Sequence, residues 1–214
     1  MQKHLASFFF NHPKMKHIKT IALIIISIIA LYYVIDRAFP YTNFNIEQYR
    51  DYWPEKWWLV GHLIGGMTAL LVGPFQFSTA FRNRYLKVHR TLGKIYIVAI
   101  IIGSFCAIYM SLTVATEVNM AWSIGLFFLA IPWLISVLMA YRMIRLKRIL
   151  QHREWMIRSY VITFAFVLFR FIDESSLAKT LMPTFEERGP TVIWISWAIP
   201  LLITEVILQW NKKK

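Results

Sequence analysis

Three clusters of basic residues, each set between long apolar runs, constrain this chain more than any other feature of its sequence. They are Lys14-Met15-Lys16-His17-Ile18-Lys19, the stretch 82–90 and the stretch 142–158, with Lys212, Lys213 and Lys214 closing the chain. Around them lie six stretches long enough to cross a hydrocarbon core, which needs about 20 apolar residues. They run roughly 18–35, 57–80, 92–114, 120–143, 155–172 and 191–210. The pattern predicts an all-α, polytopic integral membrane protein. Six transmembrane helices form one bundle over 18–210, preceded by a segment 1–17 and followed by a basic tail 211–214.

The basic clusters fall on alternate connections, so they share one side of the membrane. That side collects Lys14, Lys16, Lys19, Arg82, Arg84, Lys87, Arg90, Arg142, Arg145, Arg153 and Arg158, against only Arg37, Arg50, Lys56, Lys179 and Arg188 opposite. Most of the acids, among them Glu47, Asp51, Glu55, Glu117, Asp173, Glu186 and Glu187, lie opposite too. The positive-inside rule then puts both termini in the cytoplasm, and a bacterial-type plasma membrane is the expected location. The first apolar run follows basic residues as a signal peptide does. It is long, however, and Asp36-Arg37-Ala38-Phe39-Pro40 offers no small-residue cleavage site, so it reads as a retained anchor.

A formal net charge of +13 would suit a nucleic-acid partner. Here the cations sit in short loops beside apolar runs rather than on a separable basic domain, so no nucleic acid is expected. One cysteine, Cys106, lies within an apolar run, which excludes a disulfide framework and a thiolate metal site. Phosphate loops, zinc-protease helices and nucleophile elbows are missing from the sequence. The loop 36–56 carries Tyr41, Tyr49, Tyr52 and Trp53, followed by Trp57 and Trp58, the aromatic belt expected at headgroup level.

Gly61-His62-Leu63-Ile64-Gly65-Gly66-Met67, Gly73-Pro74-Phe75-Gln76-Phe77, His89-Arg90-Thr91-Leu92-Gly93-Lys94-Ile95-Tyr96 and His152-Arg153-Glu154-Trp155-Met156-Ile157-Arg158-Ser159 form a set. The set resembles a bacterial membrane family known as domain of unknown function 2306. The resemblance covers roughly 57–171 with an echo around Glu205, and Lys94 stands where that family is expected to carry arginine. It implies a polytopic bacterial membrane protein and no particular activity.

Gly61, Gly65, Ala69 and Gly73 recur every four residues and form a small-residue stripe on the second helix, the device that lets membrane helices approach closely. His62 and Gln76 lie near that face and are expected to point into the bundle. Two polar clusters follow. His62 and Arg170 belong to the outer leaflet, where an ionisable group costs about 2.5–3.5 kcal/mol and marks a candidate site. Asp173 and Glu174, at i+3 and i+4 from Arg170, offer it a local ion pair. At the inner end, His89 and His152 each precede a helix, Gln76 and Glu205 reach the same level, and Arg90 and Arg158 join two helix N-termini. That is the chemistry of an anion or lipid-headgroup site, though ordinary capping and positive-inside charge explain the arginines as well.

The ligand-binding candidates are therefore His62, Gln76, His89, Arg90, His152, Arg158, Arg170 and Glu205, and the expected ligand is small and anionic or lipidic. An alternative is b-type haem held by His89 and His152, the two histidines at matching depth, with His17 as a substitute. His62 cannot share that iron, since about 25 Å of helix rise separates it from the inner boundary. A structural or assembly role stays open, and an enzyme finds no nucleophile or metal constellation to support it. Pro132 and Pro200 are candidate kinks that do not mark matching halves, so alternating-access transport is not expected.

Overall fold

The computed structural model describes residues 13–49 and 52–210, apart from the side chains of 13–17 and 19. The segment 1–12, the tail 211–214 and the His17 side chain lie outside the described residues. Six helices are long and apolar enough to cross a membrane. We label them α1 (Pro13–Tyr33), α2 (Lys56–Phe77), α3 (Leu86–Leu112), α4 (Met120–Arg145), α5 and α6 (Phe185–Trp210). α5 is broken into α5a (Ile149–Thr163) and α5b (Ala165–Asp173). Among the described residues there is no strand.

Four helices start at least five residues earlier than the apolar runs predict, α1 among them at Pro13 rather than 18. α3 begins at Leu86 rather than 92, α5a at Ile149 rather than 155 and α6 at Phe185 rather than 191. Hydropathy marks where the hydrocarbon begins, whereas a helix continues into the headgroup layer for as long as its backbone bonds can be made. His89 and His152 therefore sit in the first turns of α3 and α5a rather than ahead of them. The α4–α5 connection is tight: Lys147 adopts a left-handed conformation with φ 58°. Arg148 N–H donates to the Met143 carbonyl at 2.9 Å and Lys147 N–H to that of Ile144 at 3.0 Å, the paired bonds of a Schellman C-cap. Asn119 caps α4 by accepting from Trp122 N–H at 2.7 Å, and its amide reaches the Glu186 carbonyl at 3.1 Å, which ties the starts of α4 and α6 together.

α2, α3, α4 and α5 form the core, with the α2–α3 contact the most extensive; α6 packs on α4 and α5, and α1 rests mainly on α2. The stripe on α2 accounts for this. A Cβ on Gly65 would collide with the Ala99 carbonyl and sit 2.9 Å from the Cα of Gly103, so the two backbones touch there. Gly61 faces the Cys106 sulfur and Gly73 faces the Tyr160 ring. Ala69 is fully buried between them. Gly66, off the stripe, faces open space.

A polar seam runs inside this core. The Tyr96 hydroxyl is 3.0 Å from that of Ser159 and 3.4 Å from that of Thr163; Trp133 donates its indole N–H to Thr163 Oγ1 at 2.8 Å; Tyr160 donates to the Leu70 carbonyl at 3.1 Å. Thr163 also donates to the Ser159 carbonyl one turn back at 2.9 Å. Such back-bonding bends helices, and it stands immediately before the break at Phe164, where no proline or glycine is present.

Candidate functional site

The eight sequence candidates divide among three places. The first lies towards the acidic end of the bundle. His62 Nδ1 is 3.0 Å from the Gly103 carbonyl, and its ring meets Trp133 and Phe166 edge-on at centroid distances of 6.0 and 5.8 Å. It faces the interior, as its place beside the glycine stripe implies. Arg170 does not join it. Its side chain is exposed, over the Phe169 ring and within hydrogen-bonding reach of Tyr33 on α1. The local pair expected with Asp173 or Glu174 does not form either, because both carboxylates have partners from elsewhere in the chain. Asp173 accepts from Arg188 at 2.6 Å and Glu174 from Arg37 at 2.8 Å. Helical spacing puts Arg170 near both acids, but bonds across the connections take them first.

The second place is the basic end of the α2–α3–α5 seam. Gln76 packs on Gly93, and among the described residues its Nε2 has no partner; nor does Nδ1 of His89, one turn before Gly93 on α3. His89 stands within electrostatic range of His152, Arg82 and Arg90. His152 Nδ1 is 2.8 Å from the Ala140 carbonyl. Arg90 points to the exterior. The described residues contain no cluster of three His, Cys, Asp or Glu side chains able to hold a metal ion.

The third place is separate. Arg158, nine residues into α5a, is buried and does not share a site with Arg90. Its Nε and Nη2 both donate to Glu205 Oε2, at 2.8 and 2.6 Å, and Nη1 stands 4.0 Å from Glu154. The Trp155 ring lies 4.7 Å beneath the guanidinium, and Gln209 donates to the other Glu205 oxygen at 2.7 Å. The expected convergence of both arginines on two helix N-termini is thus replaced by an arginine compensated within the bundle.

This ion pair closes one end of a cleft of about 520 Å³ between α4, α5a and α6. Ile131, Pro132, Ile135 and Ser136 line it from α4, Trp155 and Arg158 from α5a, and Trp197 to Glu205 from α6. Ile135 and Leu202 form its outer rim, at 48 % and 65 % exposed, so it opens sideways towards lipid. Pro132 brings no backbone N–H to α4, which leaves the carbonyl one turn back without its helical donor at the cleft wall. Trp197 carries an indole N–H that is buried and unpartnered.

Sequence reasoning singled out Arg158 and Glu205 as candidates but not the walls around them, since scattered apolar residues on three helices carry no signal of a gap between those helices. It also missed the seam of Tyr96, Trp133, Ser159 and Thr163. Here a signal existed: Tyr96 and Ser159 end two of the quoted motifs, each seven residues, or two helical turns, after a histidine.

Six apolar spans, an interior polar seam and a lateral cleft with a buried, ion-paired arginine define a polytopic α-helical membrane protein. The chain belongs to the family described as predicted membrane protein, domain of unknown function 2306, whose model matches residues 59–208. The match runs through the expected 57–171 from residue 59 and takes in nearly all of α6, where only an echo around Glu205 was expected; it leaves α1 outside. No curated protein and no solved structure matches the chain.

Proposed function

We propose that this protein binds a membrane amphiphile in the cleft between α4, α5a and α6. Its basic end and both termini face the cytoplasm of a bacterial-type plasma membrane, where the positive-inside rule places basic loops. The carrying observation is that Arg158, buried and paired with a partly exposed Glu205, closes an apolar cleft which opens sideways to lipid. Ionisable groups at this depth are costly and mark sites. Apolar walls with a few fixed polar groups are the usual make-up of a small-molecule pocket, and about 520 Å³ falls within the usual range of such pockets. The lipidic ligand is preferred to a small anion because Arg158 already has its counter-charge.

The test is mass spectrometry of what survives delipidation of the purified full-length protein, compared with Ala198→Phe, which puts a ring into the cleft. A lipid-soluble species retained by the wild type and lost from the variant is the expected result. Identical lipid content in both would refute the proposal.

One observation favours a second reading, a b-type haem between His89 and His152. His152 has its Nδ1 on the Ala140 carbonyl, the arrangement that fixes the ring of a metal-ligating histidine and leaves Nε2 to coordinate. An absorption spectrum of protein expressed with ample haem tests it. A Soret band lost in His152→Ala supports this reading, and a featureless spectrum removes it.

A further inference from the structure

We infer that the occupant of the cleft is a single-chain amphiphile whose head is uncharged and accepts hydrogen bonds: a long-chain ester, alcohol or ketone rather than a carboxylate or a two-chain phospholipid. This deepens the amphiphile reading above and rests on it.

The hydrogen-bond inventory of the ion pair supplies the argument. A guanidinium carries five N–H donors. Glu205 Oε2 takes one from Nε and one from Nη2. At 4.0 Å, the Glu154 carboxylate is too far from Nη1 for a hydrogen bond. Both Nη1 donors and one on Nη2 therefore stay uncommitted on a buried side chain that lines the cleft. Trp155 beneath the guanidinium plane restricts its movement. Trp197, on the facing helix, lines the cleft with its ring, while its indole N–H is buried away from it and finds no acceptor among the described residues. The site thus has donors in surplus, yet its arginine charge is already matched by a carboxylate in contact.

These two facts select the head. A neutral carbonyl, ether or hydroxyl oxygen satisfies the donors without disturbing Glu205. A carboxylate or phosphate would have to sit beside the Glu205 carboxylate, which already faces the guanidinium and would repel it, or displace that carboxylate. Size selects the tail. A cleft of about 520 Å³ with apolar walls from Ile131 to Leu202 suits one small molecule or one chain rather than two.

The experiment uses the full chain in phosphatidylcholine nanodiscs with two brominated probes that quench tryptophan on contact: methyl 9,10-dibromostearate, and 9,10-dibromostearate held ionised at pH 9. The quenching assigned to the cleft is the part that disappears in Trp155→Phe/Trp197→Phe. The ester is expected to give saturable quenching there at a concentration at least ten-fold below the carboxylate. Ala198→Phe should abolish it. Arg158→Lys, which keeps the charge and loses the fork of donors, should weaken ester binding about ten-fold. The double variant Arg158→Met/Glu205→Met, which removes both charges of the pair together, should remove the preference between probes. Equal or tighter carboxylate binding overturns the inference while leaving the amphiphile reading intact. Quenching that never saturates with either probe and ignores Ala198→Phe overturns both.

Discussion

Gly65 and Gly66 are neighbours on α2, and alanine at each should move stability in opposite directions. Both gain the same helix propensity, about 1 kcal/mol for Gly→Ala in a helix interior. A Cβ on Gly66 meets nothing within 4 Å, so Gly66→Ala keeps that gain. A Cβ on Gly65 overlaps the Ala99 carbonyl and stands 2.9 Å from the Cα of Gly103, both backbone groups of α3. Neither can rotate away, so the helices must separate. Overpacking of this kind costs about 1–3 kcal/mol. Separation also stretches the bond between His62 and the Gly103 carbonyl, now 3.0 Å, a further loss of about 0.5–1.5 kcal/mol. After subtracting the propensity gain, Gly65→Ala should destabilise by about 2 kcal/mol. At about 2–4 °C per kcal/mol for a chain of this length, its unfolding midpoint falls about 4–8 °C while that of Gly66→Ala rises about 2–4 °C.

The molecule carries its own reporter for this experiment. Cys106 is its sole cysteine, is buried, and faces Gly61 across the same α2–α3 interface. Labelling by a thiol-reactive dye during a temperature ramp in mild detergent therefore reads the opening of that interface directly. A Gly65→Ala midpoint at or above wild type would show that the backbones do not touch there and would refute the packing argument.

Three further substitutions can be followed with the same labelling ramp. Thr163→Val removes the acceptor of the Trp133 indole N–H, and leaving that donor buried should cost about 1–3 kcal/mol; adding Trp133→Phe should recover part of the loss, and strictly additive effects would argue against the seam. Lys147→Gly relieves the left-handed conformation at the α4 C-cap and should stabilise by about 1 kcal/mol, and a lowered midpoint would contradict that cap. Arg188→Met leaves Asp173, 9 % exposed, as an unpaired buried carboxylate and should cost about 3–5 kcal/mol, whereas Arg37→Gln at the exposed Glu174 pair should cost under about 1 kcal/mol; equal losses would refute the distinction by burial.

The spans were legible because a hydrocarbon core demands long uninterrupted apolarity, and few other folds produce six such runs. The stripe on α2 was legible for a similar reason: small residues at every fourth position have one steric use, and Gly61, Gly65, Ala69 and Gly73 all meet neighbouring elements. Partners in three dimensions were not legible. Arg170, Asp173 and Glu174 look like a self-contained group in sequence, yet Asp173 goes to Arg188 and Glu174 to Arg37, 137 positions away. Arg158 read as part of a cytoplasmic basic cluster because Arg153 and Arg148 precede it; only the approach of α6 shows it to be a buried arginine paired with Glu205. The cleft was invisible for a deeper reason: it arises where three helices fail to fill the space between them, and no single residue encodes a gap.

Most of the motif residues that carry the resemblance lie in a different part of the molecule from the proposed site, Trp155 and Arg158 of the last motif excepted. His62, Gly65, Gln76, Gly93, Tyr96 and Ser159 face one another along the seam of α2, α3 and α5, and α1, outside the matched residues, takes no part in it. Close backbone approach and a buried polar network leave little freedom to vary a side chain, so such a signature specifies how the bundle closes. The two regions nevertheless meet on α5a, where Arg158 of the cleft, Ser159 of the seam and Tyr160 against Gly73 are consecutive. Successive helical side chains point about 100° apart, so one turn of α5a serves both. If that turn only divides labour, Ala198→Phe should abolish ester quenching without moving the Cys106 labelling midpoint, and Gly65→Ala should do the reverse. If it transmits, an occupied cleft must stabilise the seam, and saturating ester should raise the Cys106 midpoint in the wild type but not in Ala198→Phe. The break at Phe164, one turn further on, favours transmission, because α5a can shift against α4 and α6 without carrying α5b with it. An unchanged midpoint at saturating ester would leave α5a a rigid wall shared by two independent regions.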